Sequence, residues 1–431
     1  MRSNSFISLG KTSIKLIDGD RGNQYPSKGD LTEDGYCLFL SSSNLSSSGF
    51  KFSKTEFITK EKDELLGKGK LSLNDLVMNT RGTVGNVDIF DESVEYENVR
   101  INSGMLIIRC GDDYNARYLK HFFRSQLFQQ QVSNLVSGSV QKQLPVWTFN
   151  EILLPVIDKT EQIRIADVLD GVEGKIKVNQ QKVLNSRELM RSIYRHWFID
   201  LNFPDSSGHS YIQNGGDVTF SPELGRNLPI NWKATKLGEI VESINTGLNP
   251  RSHFSLGAGS NYYITIKNIK DDLLLFNSSC DRVDDRALVI INNRSDLKVG
   301  DTLFTSIEPV GVTYYISELP TNWNINESVF SIRGSREKVT SEYLYSVLSS
   351  SEIKEYTKNV SAGSIHKGVR HSTLKEFVTV LPDKRIMKDF SKIGSVVLKL
   401  ISILNNEVEM LEDLYSFIAP LLLSGYIITI D

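Results

Sequence analysis

Leu9-Gly10 returns as Leu237-Gly238 after 228 residues, Asp75-Leu76-Val77 as Asp301-Thr302-Leu303 after 226, Ile101-Asn102 as Ile325-Asn326 after 224, and Gly138-Ser139-Val140 as Gly363-Ser364-Ile365 after 225. A stretch of roughly 190 residues is therefore laid down twice in the same order, and a period this long excludes a solenoid, whose repeats run about 20 to 50 residues. The duplication predicts two similar domains related by a pseudo-twofold axis. Two similar modules read two similar things.

With 431 residues, 40% hydrophobic and 23% charged, the chain can bury two ordinary globular cores, and disorder is not its default. Cys37, Cys110 and Cys280 lie too far apart for a metal knuckle, and no signal peptide or apolar run of about 18 residues is visible, so the expected compartment is the cytoplasm and no membrane is expected as a partner. The apolar run from Leu421 through Leu423 to Ile427-Ile428 is broken by Ser424-Gly425 and reads as buried or partner-facing. A net charge of −3 argues against indiscriminate coating of nucleic acid, because nonspecific affinity comes from Lys and Arg neutralising phosphates. Any nucleic-acid contact must then be local, with Glu407, Glu409, Glu412 and Asp413 gathered away from it in a late helix.

Each repeat opens with short apolar stretches punctuated by Gly and Ser, such as Tyr36 to Leu40 and Tyr262 to Ile266, which read as strands of a β-rich globule. Each ends in a heptad pattern. In the first repeat Leu169, Ile176, Val183, Met190 and Trp197 fall seven apart; in the second, Leu400, Leu414 and Leu421 form one stripe and Val397, Leu404, Leu411 and Ile418 the other. These seams predict two long helices, the first from about Glu161 to Trp197, packed as an antiparallel coiled coil, with Asn179 and Glu407 as polar intrusions that set register. The alternative for either seam is a core helix of its own domain. Between the repeats, the Pro, Gly and Ser content from Asn202 to Pro229 reads as a linker.

The chemistry-bearing motifs are mostly missing. Gly10-Lys11-Thr12 lacks the Gly five residues earlier that a phosphate loop needs, since position 5 is Ser5. Glu352-Ile353-Lys354 is only the tail of a nuclease carboxylate cluster, and Asn249-Pro250-Arg251-Ser252 has Arg and Ser where an amino-methyltransferase loop needs Pro and an aromatic. The chain reads as non-catalytic, with no metal site and no cofactor of its own.

Two sets of matched loops are the candidate contacts to DNA. Ser139, Gln141, Lys142 and Gln143 in the first repeat correspond to Ser364, His366, Lys367, Arg370 and His371 in the second; small residues let the backbone approach a phosphate while Gln, Lys, Arg or His reaches a base edge. Ser41, Ser42, Ser43 and Asn44, with Lys51, correspond to Thr265, Lys267 and Asn268, with Lys270; Asn pairs bidentately with adenine, and Lys takes guanine or phosphate. A solvated polar turn is the competing reading of each. Arg81-Gly82 in the first repeat is answered by Glu308-Pro309 in the second, so those loops meet DNA differently.

Over nearly its whole length the chain resembles the DNA specificity subunit of Type I restriction-modification systems. The resemblance rests on Asp18-Gly19-Asp20-Arg21-Gly22 with Tyr25-Pro26, on Thr246-Gly247-Leu248-Asn249-Pro250-Arg251 with Tyr263 to Ile269, and on Gly300-Asp301-Thr302-Leu303-Phe304, Ile325-Asn326-Glu327-Ser328 and Gly363-Ser364-Ile365. Leu154-Pro155 followed by Glu161-Gln162-Ile163-Arg164-Ile165-Ala166 resembles the start of that family's central spacer helix, whereas the second repeat has Pro382-Asp383-Lys384-Arg385-Ile386 there. The resemblance implies an α+β fold with two target recognition domains, at 1–155 and 231–382. It implies a central spacer helix at 156–200, a linker at 201–230 and a distal spacer helix at 383–431. Each domain would read one half of an asymmetric, bipartite site in double-stranded DNA. The implied partners are two methyltransferase subunits, which carry S-adenosylmethionine, and, where the system has them, two restriction subunits using ATP and Mg. A scaffold that holds proteins together without DNA is the competing function, and a fragment of a fused nuclease-methylase a more remote one.

Overall fold

The computed structural model describes residues 5–133, 144–251, 253–270, 273–276, 280–362 and 368–425. In the first repeat the strands are β1 (Lys15–Asp18), β2 (Cys37–Leu40), β3 (Phe57–Ile58), β4 (Asp75–Asn79), β5 (Val87–Phe90), β6 (Val99–Ile101) and β7 (Met105–Arg109). Its helices are α1 (Lys60–Leu65), α2 (Ala116–Arg124), α3 (Gln126–Ser133) and α4 (Lys159–Phe198). The second repeat has the same series: β8 (Val241–Thr246), β9 (Asn261–Ile264), β10 (Asp281–Val283), β11 (Thr302–Thr305), β12 (Thr313–Tyr315), β13 (Trp323–Ile325) and β14 (Val329–Gly334), with α5 (Asp285–Ser295), α6 (Ser341–Ser349), α7 (Ser351–Ala362) and α8 (Lys384–Leu423).

The duplication holds at the level of topology. A four-stranded antiparallel sheet is ordered β1-β7-β4-β5 in one repeat and β8-β14-β11-β12 in the other. A three-stranded sheet is ordered β3-β2-β6 and β10-β9-β13, with the pairs β2/β6 and β9/β13 parallel. The near-continuous apolar runs of the central strands follow from burial on both faces. Leu76, Met78, Leu106 and Ile108 pack on one side with Phe122 and Phe123 of α2, while Val77, Met105 and Ile107 pack on the other with Leu38, Val99 and Ile101 of the smaller sheet. The period of two thus divides one strand between two cores.

The molecule comprises two compact units, Met1–Lys177 with Glu409–Asp431, and Val178–Val408. Both long helices run 40 residues, about 60 Å at about 1.5 Å per residue. Their starts are built alike. Asp158 accepts from the Glu161 amide at 3.0 Å and Asp383, 225 residues on, from the Arg385 amide at 2.7 Å, so the second helix starts firmly despite its different sequence. In the first unit Leu169 shares a core with Ala419, Leu422 and Leu423; in the second, Val183, Met190, Trp197 and Phe198 share one with Phe390, Val397, Ile401 and Leu404. The early part of α4 therefore meets the end of α8 and its later part the beginning of α8, an antiparallel pair.

Two sequence expectations need correction here. Leu400 and Leu414 are 45% and 44% exposed, and Ile176, Leu411, Ile418 and Leu421 are only partly buried. The covered row on the early part of α8 is Phe390, Gly394, Val397, Ile401 and Leu404, alternating steps of four and three; the Leu400/Leu414 stripe lies beside it on the open face. The segment read as a linker is folded: Leu201, Phe203 and Leu228 enter the second unit's core, Phe203 stacks on Tyr211 at 4.6 Å and Trp232 at 4.7 Å, and Val218–Ser221 pairs with Arg226–Pro229. Its Gly and Ser residues serve tight turns between those anchors. Leu422 and Leu423 are buried, while Ile427 and Ile428 lie outside the described residues. Among the described residues no helix is long and apolar enough to cross a membrane.

Candidate nucleic-acid interface

At the end of β2 the chain turns through Ser41–Asn44, and at the end of β9 through Thr265–Asn268. Asn44 is 4% exposed and uses its whole amide internally. Its Oδ1 accepts from the Ser41 amide and hydroxyl, each at 3.0 Å, and its Nδ2 donates to the carbonyls of Lys51 at 3.2 Å and Lys54 at 2.7 Å. Asn268, 2% exposed, repeats the arrangement: Oδ1 accepts from the Thr265 amide at 2.9 Å and hydroxyl at 3.0 Å, and Nδ2 donates to Cys280 Sγ at 2.8 Å. The Asn44 amide has no capacity left for adenine, and Asn268 is buried with its Oδ1 accepting twice, so neither is placed to pair bidentately with the base, which corrects the sequence reading of both residues. They fold the turn instead, leaving Ser43, Lys51, Lys267 and Lys270 exposed and Ser41, Ser42 and Thr265 half-buried on it.

The hairpin loops between β4 and β5 and between β11 and β12 are built on one frame. The Gly85 amide donates to the Asn79 carbonyl, and the Gly311 amide to the Thr305 carbonyl, both at 3.0 Å. The first residue of each loop braces the fifth: Asn79 Nδ2 donates to Thr83 Oγ1 at 2.8 Å, and Thr305 Oγ1 to the Pro309 carbonyl at 2.5 Å. Asn79 Nδ2 also reaches the Ser42 carbonyl at 3.0 Å, tying the hairpin to the Ser41–Asn44 turn. Arg81 and Glu308 are exposed at the tips.

A third loop joins them. The Thr80 amide donates to the Gly104 carbonyl and the Ser306 amide to the Ser328 carbonyl, each at 2.9 Å. The β1 and β8 strands pass so close to these turns that a Cβ on Gly19 would lie 2.1 Å from the Asn102 carbonyl oxygen, and one on Gly247 1.6 Å from that of Ile325. Only glycine fits such an approach, which is the physical content of that repeated residue. Past it, Arg21 reaches Asp18 at 3.0 Å and the Ser103 carbonyl at 3.3 Å. Asp20 is held below the usual carboxylate range by the amide of Gly22, against a small opposing effect of burial, with further help from the amides of Gly67 and Lys68.

Ser139, Gln141, Lys142 and Gln143, and Ser364, His366 and Lys367, lie outside the described residues. The chain that follows each segment joins the same frame, the Leu144 amide on the Thr80 carbonyl at 3.1 Å and the Val369 amide on the Ser306 carbonyl at 2.8 Å. Arg370 is exposed beside this bond at the head of a short helix, His371–Lys375. His371 is half-buried, edge-on to the Phe330 ring at 4.2 Å, and burial, with Lys375 and Arg294 nearby, lowers its pKa.

Sequence reasoning missed a polar cluster in the first unit. His121 Nε2 bonds Asp170 at 2.8 Å and its Nδ1 bonds the Tyr415 hydroxyl at 2.8 Å, while the Lys120 ammonium lies 2.9 Å from Asp170 and 3.0 Å from Glu173, and Arg124 lies 2.6 Å from Glu173. His121, Asp170 and Glu173 offer ligand atoms within 4.8 Å of one another, but the Lys120 ammonium already occupies the cationic place between the two carboxylates. The cluster joins α2 to both long helices. The sequence signal for it is that the equivalent residues 225 places on are uncharged in the second repeat: Tyr345, Ser346 and Ser349 for Lys120, His121 and Arg124, and Ser395 and Leu398 for Asp170 and Glu173.

A family model described as the Type I restriction modification DNA specificity domain matches residues 16–186 and again 229–410. The specificity subunit of the Type I restriction enzyme MjaIX from Methanocaldococcus jannaschii is 27% identical over 152 residues, which is 34% of this chain and 32% of that protein, so the chain matches about a third of that relative's length. The crystal structure of a Type I restriction-modification S subunit from M. genitalium superposes over 100% of this chain and 98% of that one, with a TM-score of 0.57 at 14% identity, a likeness of fold. The HsdS subunit from Thermoanaerobacter tengcongensis superposes over 98% of this chain and 97% of that one, with a TM-score of 0.36 at 16% identity.

Proposed function

Because the chain belongs to the family of Type I restriction modification DNA specificity domains, matched in each of its two repeats, we propose that it is the DNA-reading subunit of such a system and carries no catalysis itself. Each repeat reads one half of an asymmetric, bipartite site in double-stranded DNA, and α4 and α8 set the spacing of the halves. The observation that carries this reading is the duplicated loop frame. In both repeats the same backbone bonds gather a turn, a hairpin tip and a following segment, and each frame presents exposed cations: Lys51 and Arg81 in one, Lys267, Lys270 and Arg370 in the other. Small local sets of cations on a nearly neutral chain suit phosphate contacts that position, with base contacts that specify.

Methyl transfer then belongs to partner subunits. Val396, Leu400, Ile403, Met410, Leu414 and Phe417 form an exposed apolar stripe at heptad spacing along α8, the kind of face that a partner's helices cover. On this reading two methyltransferase subunits dock there and bring S-adenosylmethionine, and restriction subunits, where the system has them, bring ATP and Mg. The location is the cytoplasm, with the DNA.

Exchanging residues 9–150 for the first domain of another family member, in cells that carry the methyltransferase partner, tests the proposal by methylome sequencing. One half of the methylated site is expected to change while the other stays. A change in both halves together would refute independent heads, and a chain that supports no site-specific methylation and shifts no duplex in a gel would favour the DNA-free scaffold.

A further inference from the structure

The two hairpin loops share length, frame and surroundings, yet their tips differ in charge. Arg81-Gly82-Thr83 stands in one, and Ile307-Glu308-Pro309 in the other. Arg81 falls one place before the position that Glu308 occupies, so the reversal is confined to adjacent residues of one tip. Among the described residues neither side chain has an ion pair or hydrogen bond, and both are exposed. Beneath them the backbone is held at several points, by the Gly104 carbonyl on the amides of Thr80 and Arg81 and by the Ser328 carbonyl on that of Ser306. The tips are held platforms whose charged ends are exposed.

A tip that rested on the phosphate backbone would carry a cation in both repeats, because a carboxylate there is repelled by every phosphate near it. A tip that faces base edges tolerates either sign. Arginine takes the O6 and N7 acceptors of guanine, and glutamate accepts from the N4 amino group of cytosine. Each hairpin is the edge pair of its four-stranded sheet, and its loop projects past the strand ends as a narrow element of the kind the major groove admits. Exposed cations suited to phosphates stand near the tips: Lys51, whose amide bonds the Asn44 carbonyl in the turn that Asn79 ties to the first hairpin, and Arg370, two residues after the Gly368 that pairs with Ile307 of the second.

We infer that both hairpin tips read bases, Arg81 requiring a guanine in the first half-site and Glu308 a cytosine in the second. This rests on the reading of the chain as a DNA-specificity subunit. It adds the residues and the bases.

The test uses the full chain assembled with its methyltransferase partner, the recognised site first being read from the methylome of cells carrying the unaltered complex. Arg81→Ala is expected to relax a single guanine position in one half-site, with discrimination there falling roughly 5- to 150-fold and the other half unchanged. Glu308→Gln is expected to relax a single cytosine in the opposite half. Arg81→Glu is expected to exchange the guanine preference for cytosine. Binding to duplexes carrying the site is measured across salt concentrations in parallel. If Arg81→Ala weakens all sequences alike and lowers the salt slope by about 1, Arg81 holds a phosphate and the inference is overturned. It is equally overturned if both variants keep the parental motif. Should the unaltered complex methylate no bipartite site at all, the parent reading fails, and this inference with it. Both side chains are exposed and, among the described residues, without a partner, so folding is expected to be unaffected, and a thermal melt of each variant checks this.

Discussion

Asp170→Asn isolates the polar cluster that joins α2 to the long helices. In the native chain Asp170 Oδ1 accepts from His121 at 2.8 Å and Lys120 at 2.9 Å, and Oδ2 from Arg117 at 3.1 Å. The Arg117 bond is 40% exposed on the arginine side and contributes little. Breaking a buried pair by removing one partner costs about 3–5 kcal/mol. Here Glu173 still faces Lys120, and asparagine keeps an acceptor for His121, which brings the expected loss to about 2–3 kcal/mol. The measurement is hydrogen exchange of α2 amides in the full chain. A loss of that size accelerates exchange by roughly 30- to 150-fold where α2 opens with this contact. α6 is the internal control: it holds the same place in the second repeat with Tyr345 and Leu398 buried in an apolar contact, and its exchange is expected to stay unchanged. Acid should weaken the native contact in two steps. Burial lowers the His121 pKa, with the bond to Asp170 opposing, so the unfolded state takes up the proton first and stability falls as pH drops below about 6.5. Burial pushes Asp170 up, but hydrogen bonds from His121 and Lys120 together with their charge outweigh it and hold the carboxyl well below its usual range. Its contribution is full above about pH 4 and is lost as pH falls further. Unchanged α2 exchange in Asp170→Asn, or equal acceleration in α6, would refute the reasoning.

Asn44→Ala removes four hydrogen bonds from a buried turn and is expected to lower stability by about 2–3 kcal/mol in urea titration of the full chain; full stability with an altered recognition motif would restore the base-reading role that the geometry denies. Leu404→Ala, in the covered row of α8, should cost about 2–4 kcal/mol, whereas Leu400→Ala, on the open face, should cost under about 1 kcal/mol in the isolated chain and show its effect only when partner subunits are added. Equal losses in the isolated chain would put both residues in one seam. Asn179 is 0% exposed, and among the described residues its amide makes no hydrogen bond; Asn179→Leu should raise stability by about 1–2 kcal/mol in the same titration, and a drop of more than about 1 kcal/mol would mean that the amide is engaged.

The repeats, the strands after Tyr36 and Tyr262 and both long helices are legible in the sequence because each leaves a local record. Duplicated residues recur at a near-constant offset, strand cores are apolar runs between turn residues, and a helix that packs repeats its apolar residues by sevens. The placement of Gly19 and Gly247, and of the Asp75 and Asp301 carboxylates that bind Arg109 and Arg333 at 2.7 Å, follows from the same duplication. Other features depended on partners far along the chain. Asn44 resembles a base reader until the carbonyls of Lys51 and Lys54 fold back onto its amide. Leu400 and Leu404 both continue a heptad stripe, and only the position of the facing helix decides which is covered. The Pro-, Gly- and Ser-rich stretch after Asn202 carries linker composition, yet Phe203 finds Tyr211 and Trp232 to stack against. His121 and Asp170 stand 49 residues apart, and no spacing rule connects them. The sequence alone determined the period, the order of elements and their propensities; the tertiary structure decided which hydrogen-bonding groups are already satisfied and which apolar stripe is buried, because both depend on neighbours that only folding brings within reach.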